Sequence, residues 1–113
     1  MAKKNTLFTA PPYVVEQTLK QLGANLRTAR LRRNLTIKDV AEKIGTGVRA
    51  VSDAEKGKPS TGIAIYMALL WAFDLIGQME NVADPAKDTE GQRLDLSRER
   101  SRAGQSREID NDF

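Results

Sequence analysis

The sequence predicts an all-α protein: a bundle of about five short helices, followed by a flexible charged tail. Three observations predict it. Apolar residues between positions 13 and 82 recur at steps of three and four, the spacing of one helix face, and no segment reads convincingly as a strand. Asparagine, glycine and proline fall where those runs stop. Beyond Ala83 the charges stay dense while the large apolar residues thin out to Leu94, Leu96, Ile109 and Phe113.

The elements follow in order. Residues 1–12 read as a flexible N-terminal arm. Pro11-Pro12 suits a helix start, because proline has no amide hydrogen to leave unpaired there. Val15, Leu19, Leu22, Leu26 and Ala29 then form one stripe. Arg27, Arg30, Arg32 and Arg33 occupy the last turns, where positive charge complements the helix dipole, and Asn34 is the stop.

A second helix starts after Thr36, with Asp39 completing a capping box. Ile37, Val40, Ala41 and Ile44 make its apolar face, and Gly45 ends it. Thr46 is expected to cap a third helix, with Val48 and Val51 pointing inward, Ala54 next and Gly57 closing it. Two helices of two or three turns, about three residues apart with glycine between them, match a helix-turn-helix unit or a plain helical hairpin.

The breaker-rich loop Lys58-Pro59-Ser60-Thr61-Gly62 offers Ser60 or Thr61 as cap for a fourth helix over residues 63–79. That helix is apolar on more than one side, so it is expected to need a second burial partner. A homodimer through Tyr66, Leu70, Trp71 and Phe73 is the expected solution. Asp84-Pro85 then breaks the helix. Residues 83–113 hold too few apolar side chains to offset chain entropy and should stay disordered, apart from a short helix over 93–102 or one induced by a partner.

The composition limits function. Across 113 residues there is no histidine and no cysteine. Histidine general-base chemistry, histidine metal ligation, disulfides and thiolate metal sites are therefore excluded. Asp53 and Glu55 diverge on their helix, and Asp39 and Glu42 read as cap and surface, so no enzyme and no cofactor is expected. The net charge of +3 divides unevenly: +5 through Val82 and −2 from Ala83 onward. A basic domain suits polyanions through counterion release, although +5 is also an ordinary solubilising charge. No signal-peptide core is found, and the longest apolar run, residues 63–73, is too short to span a bilayer, so a cytoplasmic protein is expected.

One stretch carries a pattern of its own. Leu22-Gly23-Ala24-Asn25-Leu26-Arg27 leads through Arg30 to Leu35-Thr36-Ile37-Lys38-Asp39-Val40-Ala41-Glu42-Lys43-Ile44-Gly45, and then to Glu55-Lys56-Gly57-Lys58-Pro59. It resembles the Cro-repressor-like (XRE) helix-turn-helix family over about residues 22–75. The resemblance implies a lambda-repressor-like bundle in residues 13–82, binding double-stranded DNA and dimerising. It implies an ion pair between Arg30 and Glu55 that ties the first helix to the recognition helix. Gly47, Val48, Arg49 and Ser52 become the base-facing positions, with Arg49 suited to guanine. Val48 fits either a thymine methyl or the core, and the core is favoured. Thr36, Thr46 and the amides at both helix N-termini suit phosphate oxygens, and Lys38, Lys56 and Lys58 are candidate phosphate contacts.

Three features depart from the pattern. Ile37 stands where glutamine is common, Gly47 where a polar residue is common, and Asp53 adds a charge that repels phosphate. Three roles compete: a HipB-type antitoxin repressing its operon and holding a HipA-like toxin through residues 83–113, a standalone phage- or plasmid-type repressor, and a dimeric scaffold with weak DNA binding.

Overall fold

The computed structural model of the chain describes residues 6–111, with side chains through Gln105. Among these residues every regular element is helical, as the periodicity predicts. The chain divides into two compact units, Met1–Gly77 and Gln78–Phe113, a boundary earlier than the one expected at Ala83.

The first unit holds α1 (Thr6–Thr9), α2 (Tyr13–Arg32), α3 (Ile37–Ile44), α4 (Val48–Glu55) and α5 (Ile63–Ala72). The expected flexible arm therefore contains a helical turn at α1, while residues 1–5 lie outside the described ones. Four of these helices end in one device. Asn34, Gly45, Gly57 and Asp74 take positive φ angles of 54°, 79°, 67° and 58°. At each of them the next residue's amide reaches back to a carbonyl in the final turn: Leu35 N–H to Arg30 O at 3.2 Å, Thr46 N–H to Ala41 O at 2.9 Å, Lys58 N–H to Asp53 O at 3.1 Å and Leu75 N–H to Leu70 O at 2.8 Å. These are Schellman ends, which satisfy carbonyls the helix leaves unpaired. Three of the four stops are legible in the sequence. Asp74 is not, and so α5 ends at Ala72 rather than continuing to Met79, with a separate 3-10 turn at Ile76–Asn81.

Helix starts differ from expectation at two places. Thr36 and Asp39 do form the reciprocal capping box, each bond 3.0 Å. However, α4 is capped by Gly47 instead of Thr46, and α5 by Gly62 instead of Ser60 or Thr61, both without a side-chain bond. Extended backbone at Gly47 and Gly62 delays each helix by one residue or more.

The core sits where α2, α3 and α4 meet α5. Leu26, Val40, Val51, Ala54, Leu69 and Phe73 are all essentially inaccessible to solvent. A fully buried leucine or phenylalanine contributes about 1.5–3 kcal/mol, so these few side chains dominate the unit's stability. Helix α2 crosses the end of α4 at unusually short range. A Cβ on Gly23 would lie 2.5 Å from Glu55 O and 2.6 Å from Ala54 O, and one on Gly57 would overlap the Leu19 carbonyl. Glycine at Gly23 is thus required by the packing of two backbones.

The expected dimer face is corrected. Tyr66, Leu70 and Phe73 are 2%, 6% and 1% exposed within one chain, so they fill its own core and present nothing to a second copy. Only Trp71 of that set is exposed, at 55%, with Ile63 also on the surface. The short helices α3 and α4 cover the other side of α5, which explains its breadth of apolar residues without a dimer. Val48 is likewise corrected: it is 53% exposed, while Val51 three residues on is fully buried. With Gly47 instead of Thr46 as the cap, Val48 is the first residue of α4 and its side chain stays on the surface.

The second unit is also helical where disorder was expected. Ala83 takes φ of +57°, Asp84 caps a 3-10 turn at Pro85–Lys87, and α6 runs over Thr89–Asn111. Asp88 accepts from Gly91 N–H at 2.9 Å, and Arg93 pairs with Glu90 at 2.6 Å. None of its described residues is buried, and Leu94 and Leu96 are 44% and 54% exposed. Helix formers and a side-chain cap order this segment, in place of a core. Ile109 and Phe113 lie beyond the described side chains. No helix among the described residues is long and apolar enough to cross a membrane.

Candidate nucleic-acid interface

Helices α3 and α4, joined by Gly45-Thr46-Gly47, carry the predicted residues together with the residues that flank them. Thr36, Lys38, Gly47, Val48, Arg49 and Lys56 are exposed, and Thr46, Ser52 and Lys58 are half-buried. Ile37, Val48, Arg49, Ser52, Asp53, Lys56 and Lys58 border a single open groove. The structure thus gathers most of the predicted readers, and Ile37 and Asp53 with them. Thr36, Lys38, Thr46 and Gly47 are not among the residues that border it.

The two helix N-termini differ. At α3 the Thr36 hydroxyl accepts from Asp39 N–H, and the Asp39 carboxylate accepts from Thr36 N–H. That backbone bond, followed by the one with the hydroxyl, holds the Asp39 carboxyl below its ordinary value. At α4 no side chain caps the first turn, and its first residue, Val48, borders the groove. An uncapped, exposed helix start is suited to an anionic oxygen.

The recognition helix is held from behind by a buried ion pair. Arg30 Nε and Nη2 donate to the two Glu55 oxygens at 2.7 and 3.0 Å, and Nη1 donates to Leu35 O at 2.9 Å. The side chains are 9% and 7% exposed. This bidentate pairing raises the Arg30 pKa further above its already high value, against the effect of burial. One guanidinium therefore joins α2, the loop before α3 and the last turn of α4.

Charges that look alike in the sequence part company here. Arg33 donates to Phe73 O at 2.9 Å and Lys43 to Ala72 O at 3.1 Å, so both serve the carbonyl end of α5. They also lie over the Phe73 and Trp71 rings at 5.5 and 5.8 Å. Lys58 pairs with Asp53 at 3.0 Å, which offsets the charge that would oppose phosphate. Sequence spacing gives no hint of this pair, because the turn at Gly57 folds Lys58 back along α4. Arg49, Lys38 and Lys56 take part in no salt bridge among the described residues.

Two short helices joined by a three-residue turn, with a cation-flanked groove and a buried ion pair behind it, form a helix-turn-helix arrangement suited to a polyanion. Residues 26–74, a little under half of the chain, match the helix-turn-helix family. The matched span begins in α2 and ends just past α5, so it covers the core and the whole groove. Comparison with curated proteins and with solved structures gives no match. The match supports a DNA-binding transcriptional regulator.

Proposed function

We propose that this protein is a sequence-specific transcriptional repressor, binding an operator as a homodimer in the cytoplasm. The observation that carries the reading is the groove in which Arg49 stands exposed beside the open N-terminus of α4. Arginine pairs with guanine O6 and N7 in the major groove, and the α4 amides with Lys38 and Lys56 suit the flanking phosphates. Two copies would read half-sites about 34 Å apart, with Trp71 and Ile63 among the exposed apolar residues able to meet. Arg49→Ala should cost about 1–3 kcal/mol of binding and relax preference at one base position, read by fluorescence anisotropy on a selected duplex. Equal loss on all sequences would reduce Arg49 to a phosphate contact. Light scattering of the same complex should give two chains per duplex, and one chain per duplex would refute the dimer.

The finer role we favour is the antitoxin of a type II toxin–antitoxin pair, with a HipA-like toxin as partner. Its support is the separate unit from Gln78 onward, which carries an exposed, charged helix α6 of its own. A repressor acting alone offers no use for that segment. Removing residues 83–113 should leave operator affinity unchanged and abolish the complex with the toxin; lost operator affinity would instead make the segment a DNA-contacting arm.

A further inference from the structure

We infer that the groove selects a pyrimidine C5-methyl group, through Val48 with Ile37 on the same groove. The inference rests on the DNA-binding reading above and names what that same site recognises.

Ile37 and Val48 are the first residues of α3 and α4, and both border the groove that holds Arg49 and Ser52. Val48 is a β-branched side chain, 53% exposed, on a groove that also holds Arg49, Lys56 and the Lys58–Asp53 pair, and Ile37 is half-buried in the same groove. An apolar pair on a protein surface invites a protein partner as much as a base. The rim decides between them. Arg49 and Lys56 are exposed and outside any salt bridge among the described residues, and the α4 amides are uncapped, so the surroundings complement a polyanion. On the major-groove edges of B-DNA the apolar substituent is the thymine C5-methyl, while the other features are hydrogen-bonding atoms. Ile37 cannot donate or accept through its side chain, so at this end of the groove discrimination passes to shape and apolar contact. Arg49, adjacent to Val48 in α4, supplies the polar half of the readout against guanine. The same methyl stands on 5-methylcytosine, on the same edge of the base. The groove therefore distinguishes methylated from unmethylated pyrimidine, rather than thymine from cytosine as such.

The full chain is used to select its preferred duplex, and each thymine of one half-site is then replaced singly by uracil. Affinities are read by fluorescence anisotropy. One position should lose about fourfold, the equivalent of about 0.8 kcal/mol for one desolvated methyl. At that position cytosine should bind weakly and 5-methylcytosine should recover the loss. Val48→Ala should be insensitive to uracil there, and its far-UV circular dichroism should be unchanged because the side chain is exposed. Ile37→Val, which keeps the branch at Cβ, should retain the uracil effect. Wild-type affinity that stays within twofold at every uracil position overturns the inference, as does full uracil sensitivity in Val48→Ala. A selection that yields no preferred duplex overturns the DNA-binding reading itself, and the inference with it.

Discussion

Glu55→Ala tests the brace behind the recognition helix. Wild-type Arg30 directs two N–H groups to Glu55, at 2.7 and 3.0 Å, and a third to Leu35 O at 2.9 Å. Its side chain is only 9% exposed. Removing the carboxylate leaves a guanidinium in place with one carbonyl as its protein acceptor. Losing one partner of a buried pair costs about 3–5 kcal/mol, because the remaining charge is desolvated without compensation. A domain of this size has a total stability on the order of 4–12 kcal/mol, so the variant should be close to unfolding at physiological temperature. Its midpoint should fall by roughly 15–20 °C, taking about 3 kcal/mol and a domain of this length. Thermal and urea unfolding followed by far-UV circular dichroism measure both quantities. The companion variant Arg30→Met with Glu55→Leu removes both charges and keeps the volume, and should lie within about 1 kcal/mol of wild type. A single variant that loses less than about 1 kcal/mol would refute the reasoning. So would a double variant as unstable as the single, since that would assign the effect to packing.

Two further outcomes follow from the same framework. Gly23→Ala should destabilise the first unit by about 1–3 kcal/mol in urea unfolding, because the new Cβ meets two backbone carbonyls that cannot rotate away. It should also weaken DNA binding, since relief of the clash moves the end of α4. Asp39→Asn tests the cap of α3. The folded Asp39 carboxyl titrates below its ordinary value of 3.8, so its contribution is present above that pH and lost as pH falls through the lower folded value. Unfolding measured across pH should show wild type more stable than Asp39→Asn near neutrality. The two should converge in acid below about pH 4, the ordinary aspartate range. A gap that persists unchanged at low pH would refute the charge-assisted cap.

Much of the architecture was legible because it is written in local terms. The capping box at Thr36 and Asp39, the stops at Asn34, Gly45 and Gly57, and the helical periods depend on residues within a turn of one another. The stop at Asp74 is not legible, because aspartate enters the left-handed region far less distinctively than glycine, so the expected fourth helix overruns the end of α5. The helix over Thr89–Asn111 escaped for a different reason: a segment without a core was assigned to disorder, although caps and helix formers suffice to write it.

The local pattern of this chain determined an all-helical domain with a helix-turn-helix, its start and stop residues, and the basic character of its surface. Tertiary structure decided which residues of a uniform-looking run do what. Arg30, Arg33 and Lys43 turn to carboxylate and carbonyl oxygens of other helices, while Arg49 stands free in the groove. Tyr66, Leu70 and Phe73 go to the core and Trp71 to the surface. The physical reason is that burial and pairing depend on where distant helices cross. That crossing is set by contacts such as Gly23 against Glu55, which no local spacing records.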